Sequence, residues 1–227
     1  MTSALRMAAW IGLVGGLAVA LGGVLAWWRE RRTLMALLRE VAPSGRFGSR
    51  EELVRLKRRL SAAIRYDPAR MHDPRPLLRA SAERTLATGD GFCGENARVA
   101  VRLLRLGGVP AHRLYLQGER WGHVVVEHPW EGAWRLFDAH NDPRTALPDD
   151  RVGRIDADDL YAFPNEAIEN VWKRSWRIPG AGRFRGRWAS RARPPAIVTA
   201  LLETPALVVT AAGSLVALVA LAALLGL

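Results

Sequence analysis

The stretch that decides the fold is GFCGENARVAVRLLRLGGVPAHRLYL, residues 91–116. Its apolar residues recur at helical spacing as far as Leu106, and a glycine pair followed by Pro110 then ends the helix. The residues after Pro110 alternate as they do in a strand. The stretch therefore predicts a helix over 93–106 that leads into a strand over 112–117. The first residue of this helix, Cys93, is the single cysteine of the chain, so an intramolecular disulfide is excluded.

The position of Cys93 permits two interpretations. A helical projection puts Cys93 on the apolar face, which is formed by Ala97, Ala100, Val101 and Leu104. The opposite face, expected in solvent, carries Glu95, Arg98, Arg102 and Arg105. The helix dipole and the free N–H groups of a first turn favour a thiolate, as a nucleophile requires. A structural cysteine, which packs as a small apolar side chain, fits the helix equally well.

The next two apolar segments predict a hairpin that brings a histidine beside a carboxylate. HVVVEH at 123–128 and WRLFDAH at 134–140 alternate like strands, and a turn centred on Trp130–Glu131 places His123 opposite Asp138. Asp138 could then orient the imidazole of His123, and His123 could take the proton of Cys93. A slip of one residue would move Asp138 to the other face, so this prediction depends on the register.

The ordered set GFCGENARVAVRLLRLGGVPAHRLYL, GHVVVEH and WRLFDAH resembles the transglutaminase-like superfamily of papain-related cysteine enzymes, over about residues 85–142. The resemblance, to a membrane-anchored bacterial-type member, implies an α+β fold with the cysteine-bearing helix packed on a small antiparallel sheet. It implies a catalytic triad of Cys93, His123 and Asp138. The implied activity is that of a cysteine protease, an amidase or an acyltransferase on a protein or peptide substrate, with no cofactor and no metal.

The sequence departs from the family pattern at two places. Many members have His-Ala-Trp-Val-Glu where this chain has His123 followed by three valines and Glu127. The usual side-chain donor of the oxyanion hole is not obvious in ERTLATGDGF, upstream of Cys93, although the Cys93 backbone N–H would supply one donor. Because the family includes inactive members, a catalytically inactive interaction module at the membrane is the alternative function.

Two uncharged apolar segments, residues 8–28 and 206–227, have the length of bilayer-spanning helices. The first ends at Trp27–Trp28, which is typical of an interfacial anchor, so a retained helix is favoured over a cleaved signal peptide. The formal net charge is +11, and arginines cluster after the first segment and before the second. The positive-inside rule therefore predicts an inner or plasma membrane protein with the soluble domain in the cytoplasm and both termini outside.

The predicted organisation has five parts. They are an N-terminal transmembrane helix (1–28), a helical N-terminal part of the soluble domain (29–84), a transglutaminase-like catalytic core (85–165), a basic Trp-containing juxtamembrane segment (166–204) and a C-terminal transmembrane helix (205–227). Within them we expect a helical continuation over 29–42, a helix over 50–66 capped by Ser49, a helix over 75–87 and a short helix near NEAIENVWKRSW at 165–176.

The expected partners follow from charge and spacing. Arg and Trp in the juxtamembrane segment suit anionic lipid headgroups, whereas no nucleic-acid-reading motif accompanies the charge. His123 and His128 lie five positions apart on a strand, so a zinc site is not expected. Other histidines, such as His112, are taken as structural or solvated. Gly12 and Gly16 form a small-xxx-small pair that could pack the two spans together, or could serve a homodimer or a partner membrane protein.

Overall fold

The computed structural model describes residues 2–67, 80–117, 122–138, 176–177, 183–184 and 196–226. Its helices are α1 (Ser3–Val41), α2 (Arg50–Ala63), α3 (Ala82–Thr88), α4 (Cys93–Leu106), α5 (Ala196–Glu203) and α6 (Pro205–Leu225). Its strands are β1 (Arg65–Tyr66), β2 (Asp90–Gly91), β3 (His112–Gln117), β4 (Gly122–Trp130), β5 (Ala133–Phe137), β6 (Trp176–Arg177) and β7 (Arg183–Phe184). The described chain is mostly helical with small sheets. It forms two compact units, Thr33–Ala196 and the combination of Met1–Arg32 with Ile197–Leu227.

The first two helices follow the local signals, except that α2 ends at Ala63 where the sequence predicted a helix to residue 66. α1 continues beyond the first apolar segment to Val41, as expected for 29–42. α2 begins after Ser49, whose hydroxyl accepts a hydrogen bond from the Glu52 N–H at 3.3 Å. The Glu52 carboxylate accepts in turn from the Ser49 N–H at 3.2 Å, which completes a capping box. The predicted cap at Ser49 is therefore confirmed.

α3 is shorter than the helix expected over 75–87. It begins at Ala82 because Ser81 is extended and acts as the N-cap, with its hydroxyl accepting from the Arg84 N–H at 3.1 Å. Residues 68–79 lie outside the described part of the chain. α3 ends at Gly89, whose φ of 70° is left-handed, and β2 then leads directly into α4.

The three-stranded antiparallel sheet β3-β4-β5 confirms the predicted hairpin and its neighbour, but not the predicted register. Glu131 and Gly132, with φ of 50° and 74°, form the two-residue turn between β4 and β5. Val126 therefore lies opposite Phe137, which is a shift of two residues from the expected pairing. The prediction that His123 and Asp138 lie directly opposite each other is wrong, because the β4–β5 ladder ends at Phe137, one residue before Asp138.

The core of the Thr33–Ala196 unit surrounds α4. It combines the last turns of α1 with apolar residues of α2, α4 and the sheet, among them Leu38, Leu53, Ala100, Val126 and Phe137. α4 packs against α3 as well as against β3 and β4. The family-like arrangement, a cysteine-bearing helix on a small antiparallel sheet, is thus present.

The expectation of a solvent face on α4 is wrong. Glu95, Arg98 and Arg102 are all buried, because α4 has neighbours on more than the sheet side. Arg98 is 2% exposed, and its Nη1 donates to the Ala80 carbonyl at 2.6 Å. The arginine methylenes add to the packing while the guanidinium finds a backbone acceptor.

The remaining short strands are simple pairs. β1 runs parallel to β2, with Tyr66 opposite Gly91. β6 and β7 form an antiparallel pair. The helix expected near 165–176 lies outside the described residues except for Trp176, which belongs to β6.

In the unit of Met1–Arg32 and Ile197–Leu227, α1 and α6 are long and apolar enough to cross a membrane. They pack closely through glycines. A Cβ added at Gly16 would lie 2.6 Å from the Ala217 nitrogen, and one added at Gly213 would lie 2.7 Å from the Gly16 oxygen. Gly12 and Gly16 therefore pack the two spans together, which is one of the uses expected from the sequence.

Candidate functional site

Cys93 is the first residue of α4 and is 6% exposed. The turn before it is held by Glu95, whose carboxylate accepts from the Phe92 N–H at 3.3 Å. The Phe92 carbonyl accepts from the N–H groups of Glu95 and Asn96. The N–H groups of Cys93 and Gly94 belong to the first turn, which a helix leaves without intrahelical acceptors. The structure thus confirms the expected helix start and the burial of Cys93 with the apolar face.

The strand pair β1–β2 fixes the entry to this turn. The Arg65 N–H donates to the Gly89 carbonyl at 2.8 Å, and the Asp67 N–H donates to the Gly91 carbonyl at 3.1 Å. A Cβ at Gly91 would lie 3.2 Å from the Thr85 side chain and 3.3 Å from that of Glu95, so this position favours glycine. Tyr66, opposite Gly91, is therefore set beside the start of α4.

Tyr66 interacts electrostatically with the cysteine. Burial, followed by the charges of Cys93 and Asp67, raises the pKa of the Tyr66 phenol above its usual value. Its side chain is nevertheless 40% exposed. Sequence reasoning missed this residue because a two-residue strand carries no periodic signal.

Asn96, one turn along α4 from Cys93, was also missed. It is 1% exposed, and neither polar atom of its amide has a hydrogen-bond partner within the described part of the chain. A buried polar group without a partner costs about 1–3 kcal/mol. Asn96 is therefore a buried polar group close to Cys93 in sequence. The helical pattern alone would assign its position to packing.

The two other predicted triad residues lie at one end of the β4–β5 pair. His123 is the second residue of β4, and its backbone pairs with Leu116 of β3. Asp138 directly follows β5 and is 2% exposed. The side chain of His123 lies outside what the structure describes, so the contacts of the triad stay a prediction.

The sheet has two different faces. Val124, Val126 and Phe137 share one core with Cys93, so this face packs on α4. Strand alternation assigns the positions of His123 and Asp138 to the opposite face, so the register does not bear out the expectation that α4 packs on the face of these two residues. On the other face His112 and Glu127 lie opposite each other, both buried, with Nε2 and Oε2 2.8 Å apart. The predicted structural role of His112 is consistent with this contact.

His128 is a second buried histidine of the sheet. Its ring centroid lies 6.4 Å from those of both Trp130 and Phe137. Burial lowers the pKa of His128 to about 4, against the opposing effects of the Pro129 carbonyl and the Glu127 charge. The ring is therefore neutral near pH 7. Among the described residues, no three His, Cys, Asp or Glu side chains gather as a metal-binding group.

Comparison with known proteins supports one family. Residues 38–139 match the model of the transglutaminase-like superfamily, a range that contains Cys93, His123 and Asp138. A solved crystal structure of a TGase matches at 11% identity and a TM-score of 0.45, over 55% of this chain and 34% of the TGase. This chain therefore spans about a third of the length of that TGase. None of the curated proteins matches.

Proposed function

Residues 38–139 make this chain a member of the transglutaminase-like superfamily, and on that premise we propose that it is a membrane-anchored cysteine enzyme. Its reaction is hydrolysis of an amide or peptide bond, or transfer of the acyl group to an amine. The observation that carries the proposal is the position of Cys93, the first residue of a helix packed on a three-stranded antiparallel sheet. The alternative is an inactive interaction module with the same fold.

The chain path supports a common location for the three proposed catalytic residues. α4 has 14 residues and is about 21 Å long, and β3 has 6 residues and is about 20 Å long. Because only residues 107–111 join them, the start of α4 is expected near the far end of β3. At that end Gln117 pairs with Gly122, the first residue of β4, whereas β5 finishes opposite Val126, four residues further along β4.

The observed register also permits the contact between His123 and Asp138. Continued by one residue, the ladder would place Asp138 beside Val125, so the backbone positions of Asp138 and His123 are diagonal neighbours. Such neighbours are separated by about 7–8 Å between Cα atoms, within reach of long and aromatic side chains. The orienting role of Asp138 therefore does not require a directly opposed pair.

In the proposed mechanism the Cys93 thiolate attacks the substrate carbonyl carbon and forms the C–S bond. Before this attack His123 takes the thiol proton as general base. After the attack it gives this proton to the leaving amine. Asp138 orients the imidazole and stabilises its charged form. Water then releases a carboxylic acid from the acyl-enzyme, or an amine forms a new amide.

The first test measures thiol reactivity on the full chain in detergent micelles. An iodoacetamide probe should label wild type at pH 7 faster than the His123→Ala variant, and the rate for Asp138→Asn should lie between the two. Only wild type has both the imidazole that takes the thiol proton and the carboxylate that orients it. Protein unfolded in urea gives the intrinsic rate for the same cysteine. Equal labelling of folded wild type and His123→Ala would favour the inactive module.

A second experiment seeks the substrate. Membranes with wild type and with Cys93→Ala are compared by proteomics for proteins cleaved or amide-linked only in the presence of the thiol. The expected substrates are proteins or peptides near the membrane surface, since α1 and α6 would anchor the chain there and segment 166–204 is rich in arginine. Identical profiles and full cellular function of Cys93→Ala would contradict the enzyme proposal.

The proposed cytoplasmic location of the domain is tested with reporters. A phosphatase fused after Leu227 should be active outside, and a reporter inserted near Gly45 should behave as cytoplasmic, because the arginines cluster on the inner flanks of both spans. The opposite pair of results would reverse the topology without affecting the thiol chemistry.

A further inference from the structure

The end of the apolar segment of α1 carries two stacked pairs of tryptophan and arginine. The Arg31 Cζ lies 5.8 Å from the centroid of the Trp27 ring, and the Arg32 Cζ lies 5.6 Å from that of the Trp28 ring. Both distances are within the range of a cation–π interaction. Because each arginine follows its tryptophan by four residues, the two pairs lie side by side on the surface of one helix.

The stacking places both guanidinium groups at the boundary of the apolar segment. Helical side chains lean towards the N-terminus of their helix, so Arg31 and Arg32 lean back towards the tryptophans. The three arginines of residues 29–32 are exposed, whereas Glu30, the acid among them, is buried. The exposed charge of this turn is therefore entirely positive, and it lies at the level where tryptophans occupy a membrane interface.

We propose that the Trp27–Arg31 and Trp28–Arg32 pairs form a binding site for the phosphate of an anionic phospholipid. This inference rests on the membrane anchoring that is part of the proposed function. A guanidinium that stacks by its face on an indole ring keeps its N–H groups at its edge, where they can donate in pairs to phosphate oxygens. The stack also limits the conformations of the arginine, so less conformational entropy is lost when the phosphate binds.

Apolar surface next to the two pairs favours a lipid over a free phosphate ion. Leu21, Val24 and Leu25 are exposed side chains within two turns before Trp27. The acyl chains of a lipid can cover this surface while its headgroup reaches the guanidinium groups, whereas inorganic phosphate has no apolar part. The apolar surface and the positive charge thus fit the two parts of one phospholipid.

The proposed site differs from a general attraction of arginines to an anionic surface, which acts on every exposed charge alike. Arg29 is a matched control for the arginines, because it is exposed on the same turn but follows Leu25 by four residues and not a tryptophan. Trp10 is a matched control for the tryptophans, since it is exposed near the other end of the apolar segment and Val14 follows it by four residues. Neither control residue belongs to the site.

The test is native mass spectrometry of the full chain in detergent micelles that contain equal amounts of phosphatidylglycerol and phosphatidylcholine with the same acyl chains. The ratio of the two bound lipids reports the headgroup preference, and partial misfolding lowers the binding of both lipids alike. Wild type should prefer phosphatidylglycerol. The double variant Trp27→Leu, Trp28→Leu keeps every charge, yet it should lower this preference at least about fivefold, the product of two exposed cation–π pairs, whereas Trp10→Leu should change it less than about 1.5-fold.

Single arginine substitutions separate the stacked pairs from charge alone. Arg31→Gln and Arg32→Gln each remove one charge and one stack, whereas Arg29→Gln removes only a charge. The general attraction amounts to about fivefold per arginine, so Arg29→Gln should lower the preference by that factor at most, and each of the other two should lower it several-fold more. In the Trp27→Leu background, Arg31→Gln should cost no more than Arg29→Gln does in wild type.

Several results would overturn the inference. Equal losses for the three arginine variants, with an unchanged preference in the tryptophan double variant, would mean that charge alone attracts the lipid. Displacement of phosphatidylglycerol by excess inorganic phosphate would identify a free-anion site, and a wild type without headgroup preference would leave no site at all. If alkaline extraction releases wild type from membranes, the proposed anchoring fails, and this result is distinct from an anchored chain that does not distinguish the two headgroups.

Discussion

Acidification should destabilise the Thr33–Ala196 unit through His128. The ring is buried between Trp130 and Phe137, and burial lowers its pKa from 6.5 to about 4. The unfolded chain takes up a proton at this histidine below about pH 6.5, whereas the folded chain does not until about pH 4. Because the unfolded state binds more protons between these values, stability is complete above pH 6.5 and is lost as the pH falls towards 4.

The expected loss is large for a domain of this size. At about 1.4 kcal/mol per pKa unit, a change of pKa from 6.5 to about 4 corresponds to roughly 3 kcal/mol. Single domains are stable by about 5–15 kcal/mol, so one buried imidazole could remove a substantial part of the total. Carboxylates also titrate near the lower end of this pH range, and their protonation changes the free energy of unfolding separately from His128.

The assay separates His128 from the carboxylates. The free energy of unfolding of the full chain in detergent micelles is measured by urea titration with pulse proteolysis, from pH 7 to pH 4, for wild type and His128→Leu. Leucine keeps an apolar side chain in the core and cannot titrate, while every carboxylate stays in both proteins. The wild-type free energy should fall by roughly 3 kcal/mol more than that of the variant. Parallel curves for the two proteins would refute the reasoning.

Two further perturbations test the sheet and the paired spans. Glu127→Ala should lower the free energy of unfolding by about 1–3 kcal/mol, since it leaves a buried histidine nitrogen without its hydrogen-bond partner, whereas Glu127→Gln keeps an acceptor and should cost less; equal losses in urea titration would contradict the importance of that contact. Gly16→Leu should separate α1 from α6, and Gly15→Leu should not, because a Cβ at Gly15 meets nothing within 4 Å. The readout is disulfide formation between Gly12→Cys and Ala220→Cys in a chain whose native cysteine is serine, and equal cross-linking in the two variants would contradict the packing.

The start of α2 and both bounds of α4 could be predicted because their signals are local, whereas α2 ends at Ala63 and not at the expected residue 66. Ser49 and Glu52 close their two hydrogen bonds within one turn, and Gly107 ends α4 within a few residues of the last apolar position. Such contacts depend on neighbours in sequence and not on the rest of the fold. The position of Cys93 at a helix start followed from the same kind of signal.

The surroundings of α4 could not be predicted in the same way. A helical projection separates apolar from charged residues, but it does not say how many sides of the helix are covered. Arg98 can be buried because the Ala80 carbonyl, 18 positions earlier, accepts a hydrogen bond from its guanidinium. Tyr66 was missed for a similar reason, since its pairing with Gly91 joins two strands that are too short to show any period.

The register of the hairpin shows which part of a site prediction depends on a single turn. A centre at Trp130–Glu131 is consistent with alternation, but the chain turns at Glu131–Gly132, where both residues have positive φ and glycine tolerates it without cost. The resulting shift is two residues, and a side chain that moves by two positions along a strand stays on the same face. The directly opposed pair of His123 and Asp138 is lost, and parity keeps both positions on one face. That face is the one of Val125 and Glu127, whereas Val124, Val126 and Phe137 of the opposite face share the core with Cys93. The triad proposal therefore requires Cys93 to meet His123 around the end of the sheet, because the face that packs on α4 does not carry the His123 position.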